Sequence, residues 1–185
     1  FSEDTPFKTT LCDVKDLEAV TAAFRVLNGN NDIYALINCA GVLHTKPVIS
    51  ISDAYINEII DTNLKGTIYC CKNVIRPLLK FGSGRIINFS SIAASSALKG
   101  DSVYSASKSA VETFSKALAK EIATKPITVN CIAPGIIKTQ MTKDLKEAQI
   151  DKLLSLQIIP NLGEVNDIYN VVKFVLSEES NMISG

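Results

Sequence analysis

Tyr104 and Lys108 lie four residues apart in the segment SVYSASKSAVETF, residues 102–114. At this spacing two side chains share one face of a helix, one turn apart. A free tyrosine has a pKa of about 10, and a neighbouring ammonium lowers it towards the range in which a phenol works as a general acid. The pair is therefore a candidate acid–base unit, although a partly buried tyrosine beside a solvated lysine explains these two residues equally well when they are taken alone.

Ser91 adds a hydroxyl group to this pair. It ends the apolar run GRIINFSS, residues 84–91, and the small, polar loop 92–102 leads from it to Tyr104. Such a loop can bring Ser91 beside Tyr104, where its hydroxyl would polarise a carbonyl oxygen. The three residues suit carbonyl reduction or alcohol oxidation, with the hydride coming from a cofactor because no side chain supplies one.

The segments that must position these residues alternate between strand and helix patterns. Strands are predicted at 9–14, 33–42, 84–91 and 127–135, and helices at 16–30, 53–80, 103–125, 142–154 and 165–179. This order predicts an α/β fold: a Rossmann-like, doubly wound parallel sheet in three α/β/α layers, forming one domain over residues 1–185.

Each predicted strand ends in small, polar or turn-forming residues. The ends read 12–14 (CDV), 38–41 (NCAG), 90–91 (SS) and 134–135 (PG). Ligands of such sheets bind beyond the carboxyl ends of the strands, and small residues let a ligand approach the backbone closely. The four ends together predict a shelf for a cofactor.

The composition excludes several classes of protein. The chain has 19 basic and 19 acidic residues, and zero net charge argues against a general nucleic-acid binder. Its apolar runs are short, which predicts no membrane span. The five cysteines form no Cys-x-x-Cys pair and are interpreted as reduced thiols in the core of a cytoplasmic protein, while a single histidine argues against a histidine triad or a metal site.

Five motifs then occur in one order along the chain. They are NCAG (38–41), DTNLKG (61–66), NFSS (88–91), YSASK (104–108) and PGIIKT (134–139). With these motifs, the chain resembles a classical short-chain dehydrogenase/reductase over nearly all of its length. Within that family, its sequence resembles the 3-oxoacyl-[acyl-carrier-protein] reductases.

The resemblance implies four catalytic residues, Asn63, Ser91, Tyr104 and Lys108. Tyr104 would donate the proton in reduction and accept it in oxidation, and Lys108 would lower the pKa of Tyr104 and bind the nicotinamide ribose. Ser91 would hold the substrate oxygen. Asn63, which alone would be an ordinary polar residue inside a helix, would support a water that relays protons to Lys108.

The resemblance also implies the residues that contact a nicotinamide cofactor. Asp13 and Val14 would meet the adenine, although Asp13 alone is also explained as a helix N-cap and Thr139 as a helix start. The full set is Asp13, Val14, Asn38, Cys39, Ala40, Gly41, Tyr104, Lys108, Pro134, Gly135, Ile137 and Thr139. NADP(H) is favoured over NAD(H) by the reductase resemblance alone.

The chain departs from the family pattern in two places. Cys39 stands where the family has a second asparagine, so a side-chain amide contact is lost there. The Gly-rich turn of the family's first βαβ unit and its last strand have no counterpart in residues 1–185, and we expect both to lie outside this chain.

The short region 140–161 resembles the substrate lid of the 3-oxoacyl reductases and predicts reduction of 3-oxoacyl thioesters. Arg85 and Lys125 are then candidate docking residues for an acidic acyl carrier protein. A dehydrogenase of a small polyol, sugar or other secondary alcohol and a non-catalytic binding relative stay open as alternatives. The resemblance further implies a homodimer or homotetramer, for which Ile68, Val74, Ile75 and Leu78 offer extra apolar surface, and the alternative is that both helix faces are buried within one chain.

Overall fold

The structure is a computed structural model that describes residues 9–28, 33–140, 142–143, 145 and 147–185. Within these ranges, three parallel strands form one sheet in the order β1 (Ala35–Asn38), β2 (Gly84–Phe89), β3 (Ile127–Ile132). Asn38 is in register with Asn88, which is in register with Cys131, so the three carboxyl ends meet at one edge. The predicted Rossmann-like parallel architecture is confirmed.

Helices cover both faces of this sheet. They are α1 (Leu17–Asn28), α2 (Asp53–Ile60), α3 (Thr67–Phe81), α4 (Ala93–Ser96), α5 (Ser102–Glu121), α6 (Glu147–Leu154) and α7 (Val165–Leu176). Ile86 of β2 packs on the face that α3 and α5 cover, and its neighbour Arg85 reaches the end of α7 on the opposite face. Alternate residues of a strand point to opposite faces, so both sides of β2 are buried.

The strand prediction for residues 9–14 is wrong. This segment is irregular and turns at 14–15, where the backbone N–H of Lys15 donates to Asp13 Oδ1 at 2.9 Å. A strand needs a hydrogen-bonded neighbour, and none of the described strands pairs with this segment. Leu11 is fully exposed, so its apolar side chain adds nothing to the core.

The predicted single helix over 53–80 is interrupted around Asn63. A π-helical segment, Asp61–Gly66, joins α2 to α3 and contains Asn63. π-segments are rare and mark places where one extra residue is accommodated in a turn. Gly66 closes this segment against Val14, because a Cβ at Gly66 would lie 2.8 Å from Val14 Cγ2. The close approach therefore fixes loop 9–16 against the helix that carries Asn63.

The core lies between the sheet and the α3–α5 pair. Its centre is formed by Val74 and Leu78 of α3, Ile86 of β2 and Val129 of β3, all of them fully buried. Burial of one such side chain stabilises a fold by about 1.5–3 kcal/mol. Val74 and Leu78 are thus buried in the core of this chain. The prediction that they offer surface to another subunit is wrong.

The five cysteines differ in burial, and Cys12 and Cys131 are of intermediate exposure. Cys70 and Cys71 are buried on α3, and burial raises the pKa of Cys70 to about 11 and that of Cys71 to about 12. These two behave as core thiols, as predicted. Cys39 is exposed at the end of β1, where the sequence pattern indicates a buried position.

No helix in the described part of the chain is long and apolar enough to cross a bilayer.

Candidate active site

The first turns of α5 carry Tyr104 and Lys108 to the carboxyl edge of the sheet. Both side chains are buried, with 8% of Tyr104 and 6% of Lys108 exposed. The Lys108 ammonium lies 5.8 Å from the centroid of the Tyr104 ring and donates to the backbone oxygen of Phe89 at 2.9 Å. A lysine is buried in this way only when its charge has partners, and here the end of β2 supplies one.

Ser91 lies next to Tyr104, as the loop 92–102 predicts. The Ser91 hydroxyl lies close enough to the Tyr104 phenol to lower its pKa, and it accepts a hydrogen bond from the backbone N–H of Ala93 at 3.1 Å. The short helix α4, which the sequence pattern does not indicate, begins directly after this turn and packs on α5. The backbone hydrogen bond from Ile92 N to Pro134 O, 2.9 Å, ties the same turn to the end of β3.

Burial decides the acid–base properties of this pair. Burial raises the pKa of Tyr104 above its ordinary value, the nearby Ser91 hydroxyl opposes that rise, and the charge of Asp101 adds to it. Burial also lowers the pKa of Lys108. Burial is the largest cause for both groups, so the lowering of the Tyr104 pKa by Lys108 that the resemblance implies stays a prediction.

Asn63 connects three elements of the site. Its Oδ1 accepts from Val42 N at 2.8 Å, and its Nδ2 donates to Val42 O at 3.0 Å and to Ser107 Oγ at 3.1 Å. The side chain is 1% exposed. Asn63 thus ties the loop after β1 to the π-segment and to α5, a role the sequence alone did not indicate.

The end of β1 places residues 38–41, the predicted cofactor shelf, at the carboxyl edge of the sheet. Gly41 lies between two site residues, since a Cβ there would be 3.5 Å from both Asn63 Oδ1 and Lys108 Nζ. Cys39 and Ala40 are exposed. The Asn38 amide instead points into the sheet, donating to Asn88 Oδ1 at 2.8 Å.

Asp13 and Val14 lie beside the π-segment through the contact of Val14 with Gly66. The Asp13 carboxylate is 3.6 Å from Lys15 Nζ, with more than half of its side chain exposed. The alternative that Asp13 caps the following helix is wrong, because Asp16 accepts from the first backbone N–H groups of α1, those of Glu18 at 2.8 Å and Ala19 at 3.2 Å.

The segment after β3 carries Pro134, Gly135, Ile137 and Thr139. Ile137 forms an isolated parallel bridge with Gly163, which joins this segment to the residues before α7. Thr139 is exposed in a turn, where its backbone N–H donates to Thr142 Oγ1 at 3.0 Å. The alternative that Thr139 begins the next helix is wrong, since α6 begins at Glu147.

Two polar groups near the site have partners that sequence reasoning does not find. A loop histidine such as His44 is expected to have no partner, but its Nε2 lies 2.8 Å from Glu58 Oε2 and its ring stacks on Tyr55 with centroids 4.1 Å apart. Asp101, just before α5, is 8% exposed and lies close enough to the Thr45 side chain for that group to lower its pKa. Neither has a local sequence signal, because each partner comes from an element distant in the chain.

The two proposed docking residues do not lie at the active-site edge. Arg85 is only 3% exposed and donates to Ser177 O and to the Asn181 side chain. Lys125 precedes β3, at the amino edge of the sheet and opposite to Tyr104. The prediction of Arg85 as a surface residue is wrong, because its guanidinium fills the space between β2 and the end of α7.

The site has features that fit the ribose of a nicotinamide cofactor. The Lys108 ammonium has three N–H groups, and among the described residues its acceptor is the Phe89 carbonyl alone. The shelf at Gly41 has no side chain that would fill the space beside that ammonium. Donors that remain free next to an open shelf suit the hydroxyl oxygens of a sugar.

The sequence is similar to a family of known enzymes. A family model described as enoyl-(acyl carrier protein) reductase matches residues 1–185. The 3-oxoacyl-[acyl-carrier-protein] reductase FabG of Haemophilus influenzae is 36% identical over 179 residues, covering 96% of this chain and 74% of that protein. FabG of Buchnera aphidicola subsp. Baizongia pistaciae is 39% identical over 150 residues, covering 81% of this chain and 61% of that protein. The chain therefore spans only part of the length of each relative.

The fold also matches a solved structure. The structure of ElxO with NADP bound has a TM-score of 0.87 and 29% identity, and the match covers 96% of this chain and 73% of that one.

Proposed function

This chain belongs to the short-chain dehydrogenase/reductase family of NAD(P)-dependent oxidoreductases, and we propose that it interconverts a carbonyl and an alcohol by hydride transfer with a nicotinamide cofactor. One observation carries the proposal. The Tyr104 phenol is buried beside the Ser91 hydroxyl and one turn from the Lys108 ammonium, at the carboxyl edge of a parallel sheet. Ligands bind at this edge in open α/β sheets.

The chain's own residues would handle the substrate oxygen and its proton. A bound nicotinamide supplies the hydride. In reduction, Tyr104 donates its phenolic proton to the substrate oxygen while Ser91 Oγ hydrogen-bonds that same oxygen and holds it in place. Lys108 binds ribose hydroxyls with its free N–H groups, and Asn63 keeps the loop after β1 in position through its bonds to Val42.

The protonation states favour the reductive direction at neutral pH. Burial and the Asp101 charge raise the pKa of Tyr104, so the phenol keeps its proton at pH 7 and is ready to donate it. Oxidation would require the phenolate, which burial disfavours. The protonated phenol suits proton donation in reduction, and the similarity to FabG reductases supports that direction.

The cofactor we propose is NADP(H) in preference to NAD(H). The support comes from ElxO, the similar protein whose structure has NADP bound, together with the similarity to FabG reductases. Asp13, Val14, residues 38–41 and residues 134–139 would line it on the shelf. Measuring the KM of both reduced cofactors with the same substrate checks this preference.

The proposed substrates are 3-oxoacyl thioesters. The relatives from Haemophilus and Buchnera carry that activity in their names. A cavity of about 620 Å³ adjoins the end of β3, and its wall includes the apolar side chains of Ile92, Ile136, Leu156, Ile158 and Leu162. Ile158 is fully exposed and Leu156 half exposed in this wall, so an acyl chain lying there would cover apolar surface and gain its burial.

An acyl carrier protein remains our proposed partner, but it would dock at a surface other than Arg85 and Lys125. Lys138 follows the cavity residue Ile137 and has 72% of its side chain exposed, with a loose ion pair to Glu164 at 3.9 Å. Replacing Lys138 by Glu should raise the KM for a carrier-bound substrate and leave that for a coenzyme A thioester unchanged.

Two further properties are proposed from the same resemblance. A homodimer or homotetramer is supported by Leu79 and Phe81 of α3, each 42% exposed. Light scattering of the purified protein measures the number of subunits.

A cytoplasmic location is supported by five free cysteines, which suit a reducing compartment.

The decisive experiment is oxidation of NADPH and NADH with a short 3-oxoacyl thioester, using the full-length protein and its Tyr104→Phe variant. We expect turnover that the variant loses. Tyr169→Phe is the matched control, because Tyr169 lies exposed on α7, away from Ser91 and Lys108. Turnover of polyols but not of thioesters would contradict the substrate class, and equal turnover by the Tyr104→Phe variant would contradict the site.

A further inference from the structure

The geometry points to Gln157 as a positioning residue that latches the lid segment, residues 155–162, onto the turn at Pro134–Gly135–Ile136. The catalytic consequence of this contact rests on the proposed function, because the lid segment forms part of the wall of the proposed substrate cavity. The latch itself is a set of contacts that can be measured without any substrate.

The Gln157 amide uses both of its ends. Its Oε1 accepts from the backbone N–H of Ile136 at 2.7 Å. Its Nε2 donates to the backbone oxygens of Ile159 at 3.3 Å and Asn161 at 3.1 Å. One side chain therefore closes the lid segment on itself and attaches it to the turn after β3.

The lid segment has no other long-range hydrogen bond between described residues. The backbone N–H groups of Ser155, Leu156, Gln157 and Asn161 donate within four residues of their own position. The next link to the turn lies beyond the segment, where Gly163 N donates to Ile136 O at 2.9 Å. Ile136 is thus held from both sides, by Gln157 on its N–H and by Gly163 on its carbonyl.

Apolar packing cannot hold the lid segment in its place. Leu156, Ile158 and Ile159 flank Gln157, and they are 48%, 101% and 72% exposed. Side chains that stay in water contribute little to the position of a loop. The polar link through Gln157 is what fixes the apolar wall over the cavity before a substrate covers it.

Gly135 provides the room that the latch needs. A Cβ at Gly135 would collide with Gln157 Oε1. The side chain of any residue but glycine would therefore displace the Gln157 amide from Ile136 N. The two positions are coupled, so substitutions at both should not have additive effects.

The first test is hydrogen exchange of the Ile136 amide in the full-length protein without substrate. Gln157→Leu keeps the approximate size of the side chain and removes its hydrogen bonds. We expect the peptide that contains Ile136 to exchange about tenfold faster in this variant, with peptides of β2 unchanged. Unchanged exchange at Ile136 would overturn the inference, whatever the enzyme proves to reduce.

The second test is a double-mutant cycle between Gly135→Ala and Gln157→Ala. We expect Gly135→Ala to reduce kcat/KM about two- to tenfold more in the wild-type background than in the Gln157→Ala background. Gln157→Ala alone should raise the KM of the acyl substrate about two- to tenfold while kcat stays nearly constant. Equal effects of Gly135→Ala in both backgrounds would overturn the coupling. Faster exchange at Ile136 in the Gln157→Leu variant, without turnover of any thioester by the wild type, would support the Gln157 contact and contradict the proposed substrate.

Discussion

The Lys108 ammonium lies 5.8 Å from the centroid of the Tyr104 ring and donates to the Phe89 carbonyl at 2.9 Å, so it is held at the end of β2. The two residues share one helix face, yet their titration is set by burial, which raises the pKa of Tyr104 and lowers that of Lys108. The pair is a neutral phenol beside an ammonium that burial destabilises. This relationship has consequences for stability, for pH dependence and for catalysis.

Lys108→Met should abolish turnover without destabilising the fold. A buried ammonium with a single protein acceptor is costly, and replacing it by an apolar side chain of similar length is often neutral or stabilising. We expect kcat/KM to fall about 10²- to 10⁴-fold and the melting temperature to stay equal or rise. Lys120→Met, at an exposed position of α5, is the control. A large drop in melting temperature would show that Lys108 is primarily structural.

Alcohol oxidation should accelerate towards alkaline pH, whereas carbonyl reduction should be flat around neutrality. The reason is the raised pKa of Tyr104, which keeps the phenol protonated at pH 7 and delays the phenolate that oxidation needs. Ultraviolet difference absorbance between wild type and Tyr104→Phe reports the phenolate directly. An absorbance change that is complete at neutral pH would contradict the raised pKa of Tyr104.

Asp101→Asn should stabilise the protein at neutral pH. Burial raises the pKa of Asp101, and its Oδ1 is buried with no hydrogen-bond partner among the described residues. A raised folded pKa means that the folded state favours the protonated acid, so stability is lost as pH rises through that pKa. We expect a gain of about 1 kcal/mol in the free energy of unfolding at pH 7, shrinking as the pH falls and Asp101 becomes protonated.

Two comparisons control that measurement. Asp151→Asn, at an exposed position of α6, should change stability little at any pH. The alkaline rise in oxidation should also begin at lower pH in Asp101→Asn, because the Asp101 charge helps to raise the pKa of Tyr104. A constant stability difference across the pH range would contradict the role of ionisation.

Asn63→Ala should destabilise the fold as well as the site. The substitution leaves the backbone N–H and carbonyl of Val42 without their present partners and removes the bond to Ser107. We expect a loss of about 2–4 kcal/mol in the free energy of unfolding, measured by urea titration. Asn73→Ala is the matched control, because Asn73 makes one local bond to Tyr69 O. Equal losses in the two variants would contradict the linking role of Asn63.

Part of the fold was readable from hydrophobic runs and turn residues. The runs around residues 35–38, 84–89 and 127–132 predicted parallel strands, and the structure confirms all three. The segment 9–14 has a similar pattern but no strand partner in the described sheet, and only pairing turns an extended segment into a strand. The sequence did not predict the π-segment at Asn63. This segment contacts Val42, Ser107 and Val14, and those contacts form only in the folded chain.

The sequence by itself determined which chemical groups reach the edge of the sheet. The spacing of Tyr104 and Lys108 placed them on one helix face, and the end of an apolar run placed Ser91 at a strand terminus, because helix and strand periods are local properties of the chain. Tertiary structure alone decided the charge states, the inward turn of Arg85 and the contact of Gln157 with Ile136. Burial, desolvation and contacts between distant segments arise only after the layers have packed, and no local pattern encodes them.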